Sequence, residues 1–342
     1  MRVKKRKAIC VVLLLVLTLA AITLCTFALE GKLSFIGIDN DDYDEDEADF
    51  EENQIDLYDQ SYLIRKKYET FLFMGTDYSG NEEAEGDAYQ GSLSDFLMLL
   101  IINHTDDSYA LLPIDRNTIV DVTLMRKDGS GEETAQEQIC TAHWYGGSKE
   151  LSCENTVAAV SDYLGGLVID GYYALSMSKI SLINHALGGV TVTLTDDFSE
   201  KDPEMKPGAA LTLTDQQAEI YLRGRMEVAD GSNKNRMERQ RVYLQEAIKK
   251  LKSNMKEDTG YFKRVKKEIS EAATSSITGK QSGRAANALL KYEDLGIFDI
   301  EGETKVGQIL GDGEDHEEFY PFPDSVIKVM TSLYELEPYE EE

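Results

Sequence analysis

The sequence predicts an α/β fold preceded by one N-terminal transmembrane helix. Three observations in the 342 residues support this prediction. A long apolar run follows a basic N-terminus, and short, nearly continuous apolar runs begin at residue 70. Amphipathic helical patterns then alternate with further strand patterns. Because no internal repeat or proline-rich break divides this part, we expect one domain of about 270 residues, a size that can bury a large core.

Residues 8–29 form the predicted membrane anchor. At a rise of about 1.5 Å per residue, this uncharged run spans roughly 33 Å, and the hydrocarbon core of a bilayer is about 30 Å thick. The basic residues before it predict a cytoplasmic tail of residues 1–7 and an extracytoplasmic C-terminal part; they are Arg2, Lys4, Lys5, Arg6 and Lys7. A cleaved signal peptide is the alternative, but Thr26-Phe27-Ala28 lacks a small-x-small cleavage site.

The formal net charge of −28 is concentrated near the two ends. Residues 39–59 hold 12 acidic residues and no Lys or Arg, and residues 312–342 hold 11 acidic residues and only Lys328. We therefore predict an acidic juxtamembrane linker at residues 30–66, the extracytoplasmic domain at 67–335 and an acidic tail at 336–342. This acidity argues against a nucleic-acid partner, which requires a broad basic face.

The first half of the predicted domain contains three apolar runs, residues 70–75, 96–103 and 109–114, which are typical of buried central strands. Helical patterns follow at residues 154–164 and 178–187. The second pattern stops at Gly188-Gly189, before a strand pattern at residues 190–194.

Two groups of basic residues flank a polar loop, residues 227–234, in the second half. Thr214 and Gln217 form the pattern of a capping box, and the helix that they begin leads to Arg223 and Arg225. The next predicted helix, residues 235–252, carries Arg236, Arg239 and Gln240 on its first turns. Guanidinium groups clustered in so acidic a protein indicate an anion site, and their planar forks suit pyrophosphate. A solvated helix face is the alternative.

Two carboxylates are predicted to share an edge of the sheet. Asp77 follows the first apolar strand and Asp95 precedes the second, so they converge if these strands are antiparallel neighbours. Such oxygen ligands suit Mg²⁺, although Asp is also common in ordinary turns. Arg116 ends the third strand and adds a guanidinium near the same edge. Carboxylates for a metal and arginines for phosphates are the groups that phosphoryl transfer requires.

The cysteines and histidines indicate no other chemistry. Cys140 and Cys153 lack the spacing of a zinc site or a redox pair, and a disulfide between them is left open. The histidines form no ligand pattern, and no G-x-S-x-G sequence is present. Neither a zinc enzyme nor a serine hydrolase is therefore predicted.

These residues, taken in order, resemble the LytR-CpsA-Psr family of bacterial membrane-anchored enzymes that attach glycopolymers to peptidoglycan. The resemblance spans about residues 70–251. Its motifs are Gly-x-Asp at residues 75–77, Ser94-Asp95, Arg116-Asn117-Thr118, AHWYGG at 142–147, NHALGGVTV at 184–192, Arg223-x-Arg225 and Asn235-Arg236-x-x-Arg239-Gln240. No single motif is decisive, but seven in the family's order make chance an improbable explanation.

The resemblance implies a mixed central β-sheet flanked by helices, with an apolar pocket for a polyprenyl chain. It implies that Asp77 and Asp95 coordinate Mg²⁺ and act in catalysis with Arg116. The phosphates would be held by Arg116, Arg223, Arg225, Arg236, Arg239 and Gln240. The implied reaction moves a phosphorylated glycan from a polyprenyl-pyrophosphate carrier to a peptidoglycan hydroxyl, at the outer face of the bacterial cell membrane.

Three departures from the family pattern bear on activity, and the first two, at Leu93 and Asn117, favour an alternative function. Leu93 stands where the family usually has Arg before Ser-Asp, and Asp115-Arg116-Asn117-Thr118 stands where it usually has Pro-Arg-Asp-Thr. The loop at residues 78–91 adds further acidic residues. The alternative is a non-catalytic, polyprenyl-phosphate-binding sensor or scaffold of envelope biogenesis.

Overall fold

The computed structural model describes residues 53–77, 89–131, 133–224, 233–257, 261 and 273–339. The predicted anchor at residues 8–29 and most of the predicted acidic linker lie outside these ranges, so both stay predictions. Within the ranges, no helix combines the length and the apolar character needed to cross a bilayer.

The described chain contains both strands and helices, as the sequence predicts, but seven strands precede its first α-helix, so the two do not alternate throughout. The strands are β1 (Asn53–Leu57), β2 (Gln60–Ile64), β3 (Tyr68–Thr76), β4 (Ser94–Asn103), β5 (Ser108–Ile114), β6 (Ile119–Thr123), β7 (Thr134–Gln138), β8 (Gly171–Ser176), β9 (Thr191–Thr193), β10 (Ala210–Thr212), β11 (Ala273–Ser275), β12 (Glu293–Ile297), β13 (Gly302–Gly307), β14 (His316–Pro321) and β15 (Glu337–Pro338). The α-helices are α1 (Lys149–Tyr163), α2 (Ile180–Leu187), α3 (Asp215–Arg223), α4 (Asn233–Glu257), α5 (Gly279–Lys291) and α6 (Pro323–Tyr334). Short 3-10 helices cover Ile139–Trp144 and Met177–Lys179.

The chain forms two compact units. One, the sheet unit, contains the described residues up to Ala174 and those from Thr274 onward. The other, the helical unit, is Leu175–Ala273. The segment predicted as one domain, residues 67–335, contains parts of both.

A six-stranded sheet with the order β11-β8-β3-β4-β5-β12 forms the centre of the sheet unit. Strands β3, β4 and β5 are the three predicted apolar runs, and they pair antiparallel. Strand β12 pairs parallel with β5, so the sheet is mixed, as the family resemblance implies. Nearly every residue of β4 is buried, because its continuous apolar run places hydrophobic side chains on both faces of the sheet.

The folded part begins earlier and ends later than the sequence predicts. Strands β1 and β2, within the predicted linker at residues 30–66, form a second sheet with β15, which lies in the predicted tail at 336–342. Ile55, Leu57 and Ile64 are buried in the core. The linker prediction is wrong for residues 53–64, because charge density hid an alternating apolar pattern that pairs as a hairpin.

The helical unit contains helices α2, α3 and α4 and the antiparallel pair β9 and β10. The predicted capping box is confirmed: the Gln217 N–H donates to the Thr214 hydroxyl, and the Thr214 N–H donates to Gln217 Oε1. Asn184 of α2 is buried, and its amide donates to the Leu213 carbonyl at 2.9 Å and accepts from the Tyr243 hydroxyl at 3.0 Å. This asparagine of the NHALGG motif therefore joins α2 to the start of α3 and to α4.

Candidate functional site

Asp77 and Asp95 lie at one end of the pair of strands β3 and β4, as predicted. The Asp77 N–H donates to the Leu93 carbonyl at 2.9 Å, which continues the pairing of the strands beyond Thr76. The register shifts here, from Gly75 opposite Phe96 to Thr76 opposite Ser94, so Asp95 has no Cα partner on β3. Asp95 is therefore the extra residue of a β-bulge, a distortion that re-aims side chains and is common beside active sites.

Arg116, just after β5, forms an ion pair with Asp95 through Nη1. The Arg116 side chain is 16% exposed and the Asp95 side chain is 20% exposed, so solvent reaches part of the pair. Arg116 Nη2 donates to Cys140 Sγ at 3.2 Å. Its Nε atom is buried without a hydrogen-bond partner. We call Asp77, Asp95 and Arg116 the strand-end corner.

The surroundings of Arg116 keep its guanidinium charged. Burial alone would lower the pKa of Arg116, but the nearby Cys140, Asp95 and Asp115 outweigh this effect and raise it. An unpartnered buried donor costs about 1–3 kcal/mol, and more in a charged group.

The 3-10 helix Ile139–Trp144 supports the corner, a role that its sequence pattern does not indicate. Cys140 is fully buried, and its N–H donates to the Arg116 carbonyl at 3.2 Å. The Cys140 thiol donates to Gln138 Oε1 at 3.9 Å, and Gln138 Nε2 donates to the Glu317 carbonyl at 2.7 Å. Both cysteines are free and buried, so the disulfide left open by the sequence is absent.

His143 lies one turn farther along the same 3-10 helix and is almost fully buried. Its Nδ1 lies 3.1 Å from the Ser92 carbonyl, and its Nε2 lies 3.6 Å from Cys153 Sγ. Burial lowers the pKa of His143 to about 4, and burial raises the pKa of the Cys153 thiol. Both groups are therefore neutral at pH 7, and His143 holds the loop that leads into Asp95 through its contact with the Ser92 carbonyl.

The position that departs from the family pattern at Asn117 has a structural role. Asn117 is buried, and its amide oxygen accepts from Gln138 Nε2 at 3.3 Å. Its N–H donates to Asp115 Oδ1 at 2.9 Å. Asp115 therefore supplies negative charge next to Arg116, although the carboxylate that the family has at position 117 is missing.

The arginines predicted to bind phosphate in the helical unit occupy different environments. Arg223, the last residue of α3, is exposed and forms an ion pair with Glu219 at 3.0 Å. Arg225 lies outside the described residues. Arg236 belongs to α4, but its side chain is also outside the described part. For these arginines the phosphate-binding prediction stays a prediction.

Arg239 is buried, with 2% of its side chain exposed, and it contacts the protein on three sides. Its Nη1 donates to Asp196 Oδ2 at 2.8 Å, its Nε donates to the Tyr221 carbonyl at 3.1 Å, and its Nη2 donates to the Gly224 carbonyl. Gln240 is also buried and donates to the Leu222 carbonyl at 3.0 Å. Both side chains thus satisfy the C-terminal carbonyls of α3, which have no partner within that helix.

The predicted metal ligands in the corner are two carboxylates. Among the described residues, no group of three or more His, Cys, Asp or Glu side chains is placed to hold a metal ion. Asp77 and Asp95 nevertheless fit Mg²⁺, which is often held by one or two carboxylates, water and the phosphates of a substrate. For Asp77 and Asp95 the Mg²⁺ prediction stays a prediction.

Comparisons with known proteins agree with this fold. The profile of the LytR_cpsA_psr family matches residues 34–314. The polyisoprenyl-teichoic acid–peptidoglycan teichoic acid transferase TagU of Halalkalibacterium halodurans is 28% identical over 156 residues, 46% of this chain and 46% of TagU. Biofilm regulatory protein A of Streptococcus mutans is 25% identical over 190 residues, 53% of this chain and 44% of that protein. The chain thus spans about half the length of these curated relatives.

A solved structure also resembles this one. The crystal structure of B. subtilis TagV has a TM-score of 0.57 at 21% identity, over 79% of this chain and 97% of TagV. This similarity shows a shared fold. Since the family profile also covers well over half of the sequence, the chain belongs to the LytR-CpsA-Psr family.

Proposed function

We propose that this protein is a membrane-anchored phosphotransferase that moves a phosphorylated glycopolymer from a polyprenyl-pyrophosphate carrier to peptidoglycan. The observation that carries the proposal is the Asp95–Arg116 pair, set on a β-bulge beside Asp77 and retaining a buried donor without a partner. The name of TagU describes the same kind of transfer, from a polyisoprenyl-linked polymer to peptidoglycan.

The proposed reaction is a displacement at phosphorus. A peptidoglycan hydroxyl attacks the phosphorus that bears the glycan and loses its proton to water. The bond from that phosphorus to the bridging oxygen breaks, and polyprenyl phosphate leaves. Arg116 neutralises charge on the phosphoryl oxygens, and its planar fork can bind two of them. Asp95 fixes the guanidinium through Nη1, and Cys140 fixes it through Nη2.

Asp77 and Asp95 would hold Mg²⁺ in this proposal, and the cation would supply further neutralisation of the pyrophosphate. The buried loop that begins at Ser92 fixes Asp95, and the backbone bond to Leu93 fixes Asp77. The predicted anchor at residues 8–29 would keep this site near a donor that is itself held in the membrane.

The experiment that tests the proposal measures release of polyprenyl phosphate. The full-length protein in detergent is incubated with a polyprenyl-pyrophosphate-linked glycan and peptidoglycan fragments, with Mg²⁺ or with EDTA. We expect release that stops with EDTA and returns with added Mg²⁺. Asp95→Asn should lower the rate at least about 100-fold, because it removes the charge that holds Arg116.

Asp121→Asn is the matched control, since Asp121 is an exposed carboxylate on β6 that accepts a hydrogen bond from Gln136 Nε2. This variant should retain the wild-type rate. If D95N and D121N release lipid phosphate at the same rate, the strand-end corner is not the catalytic site.

A binding role without turnover is the second candidate. The observation that favours it is Asn117, whose amide is engaged by Gln138 and which supplies no carboxylate to activate an acceptor hydroxyl. This candidate predicts that the protein binds the polyprenyl-pyrophosphate glycan equally well with EDTA and never releases lipid phosphate. Mg²⁺-dependent release by the wild type eliminates it.

A further inference from the structure

Trp144 is the single tryptophan of the chain, and 54% of it is exposed. The five residues before it in the same 3-10 helix, Ile139–His143, are all buried. A scattered exposed hydrophobic residue requires no explanation by itself. Trp144 differs because its backbone is fixed on the element that supports the strand-end corner.

Close backbone contacts hold Trp144 on one side. A Cβ atom at Gly91 would lie only 2.2 Å from the Trp144 carbonyl oxygen, so the loop before β4 reaches this position only because residue 91 is glycine. Asn155 Nδ2 donates to the Ala142 carbonyl at 2.8 Å and fixes the preceding turn. The exposed indole is therefore displayed from a rigid backbone.

The chain after Trp144 is equally constrained. Gly146 has a φ of +107°, which strongly favours glycine, and a Cβ atom at Gly147 would lie 1.8 Å from the Lys127 carbonyl oxygen. Lys127 in turn lies over the ring of the buried Tyr89, with Nζ 5.5 Å from the ring centroid. The two glycines of the AHWYGG motif thus allow the close packing that sets the direction of the chain at the indole.

The same 3-10 helix places Trp144 near the proposed reacting groups. Cys140, four residues earlier, contacts the Arg116 guanidinium. With a rise of about 2 Å per residue, the two positions are separated by about 8 Å along the helix axis. A sugar next to the phosphate or next to the attacking hydroxyl would lie at this range from the corner.

We propose that Trp144 is a stacking platform for a pyranose ring of the glycan substrate. One face of a pyranose presents several C–H groups with slight positive charge, and the face of an indole carries negative charge, so the two surfaces are complementary. This inference rests on the proposed function, which brings two glycans to the site, the polymer of the donor and the peptidoglycan strand. It adds a specificity residue to a corner that otherwise recognises only phosphate.

The first experiment is a fluorescence titration, in which all tryptophan emission comes from Trp144. The full-length protein in detergent is titrated with oligosaccharides of N-acetylglucosamine and N-acetylmuramic acid, with glycerol as the control for a polyol that has no ring. We expect a saturable change in emission with the oligosaccharides and no change with glycerol. An emission that stays constant with acceptor fragments and with the donor glycan overturns the proposal.

The second experiment measures KM and kcat separately for donor and acceptor in Trp144→Ala and Trp144→Phe. We expect W144A to raise one of the two KM values about tenfold with kcat within about twofold, and W144F to restore most of the affinity. The KM that rises identifies whether the stacked ring belongs to the acceptor or to the donor. Unchanged KM values for W144A overturn the proposal while the transferase activity stands.

Tyr58→Asn is the matched control for loss of an exposed aromatic side chain. Tyr58 is 51% exposed in the turn between β1 and β2, and Asn tolerates its φ of +56°. Both KM values should stay at the wild-type level in Y58N. If the wild type shows no transfer, the proposed function fails, and the fluorescence titration alone decides whether Trp144 binds a sugar.

Discussion

Two arginine–aspartate pairs, one in each unit, differ in how far they are exposed and in how many partners the arginine has. In the sheet unit, the side chains of Arg116 and Asp95 are 16% and 20% exposed, and Arg116 Nε has no hydrogen-bond partner. In the helical unit, only 2% of the Arg239 side chain is exposed. Its guanidinium contacts Asp196 and two backbone carbonyls. The first pair is open to a ligand, whereas the second is closed by the protein itself.

This difference separates two roles that a basic motif can have. Arg239 donates to the carbonyls of Tyr221 and Gly224 at the C-terminal end of α3, next to Arg223. Its guanidinium also lies 5.3 Å from the ring centroid of Phe198. A buried arginine with this many partners stabilises the position of its neighbours. The structure therefore favours a positioning role for Arg239, while the predicted contact with pyrophosphate stays a prediction.

The largest effect is expected for Arg239→Ala. Removing one partner of a buried ion pair leaves Asp196 uncompensated, and we expect the free energy of unfolding to fall by about 3–4 kcal/mol. Hydrogen exchange of peptides from α3 and α4, followed by mass spectrometry, measures this loss locally. Faster exchange throughout both helices is the expected result.

Arg223→Ala is the control for this comparison, because Arg223 is exposed and pairs with Glu219 one turn earlier. Such a pair contributes only about 0.3–0.5 kcal/mol, so exchange should barely change. The closed-pair interpretation of Arg239 is wrong if R239A exchanges like the wild type and nevertheless loses affinity for the polyprenyl-pyrophosphate glycan.

The second prediction concerns the buried support of the open pair. His143 has a pKa of about 4 in the folded protein and about 6.5 when unfolded, so the unfolded chain binds a proton between these values that the folded chain excludes. Stability therefore falls as the pH drops from 7 towards 4. Between pH 7 and pH 5 this one group should cost about 2 kcal/mol.

Urea unfolding of the wild type and of His143→Gln at pH 7 and pH 5, followed through Trp144 emission, measures this cost. Glutamine cannot take up the proton but can still donate to the Ser92 carbonyl, as His143 Nδ1 does. The wild type should lose about 2 kcal/mol more than H143Q over this range. An equal loss in both proteins means that His143 is not the buried neutral group described above.

The sequence was sufficient to predict the main elements of the open corner. Continuous apolar runs identified β3, β4 and β5, and their order in the chain placed Asp77 beside the strand that carries Asp95. The bulge at Asp95 was not predictable, because β4 is apolar on both faces and a one-residue shift in register therefore leaves no mark in its hydrophobicity. The Cys140–Arg116 contact joins residues from separate elements, and it depends on how the 3-10 helix packs against the end of β5.

The closed pair was predictable only in part. Tyr243, Ala247 and Leu251 are spaced by four residues, which indicates the inner face of α4, and Arg239 lies four residues before Tyr243 on that face. No such pattern identifies Asp196 as the partner of Arg239, because 43 residues separate them. Local periodicity predicts which face is buried, whereas the partner of a buried charge is set by tertiary packing.

The smallest effect is expected at Cys140, and it tests whether the open pair depends on its sulfur contact. Burial raises the pKa of the Cys140 thiol, so a neutral sulfur accepts from Arg116 Nη2. Cys140→Ala removes this acceptor and should lower kcat/KM for the donor about tenfold, whereas Cys140→Ser keeps an acceptor and should lower it less than about threefold. Urea unfolding of both variants measures their loss of stability separately. If the two activities fall in proportion to stability, with no advantage for serine, Cys140 only fills the core, and the orientation of Arg116 rests on Asp95 alone.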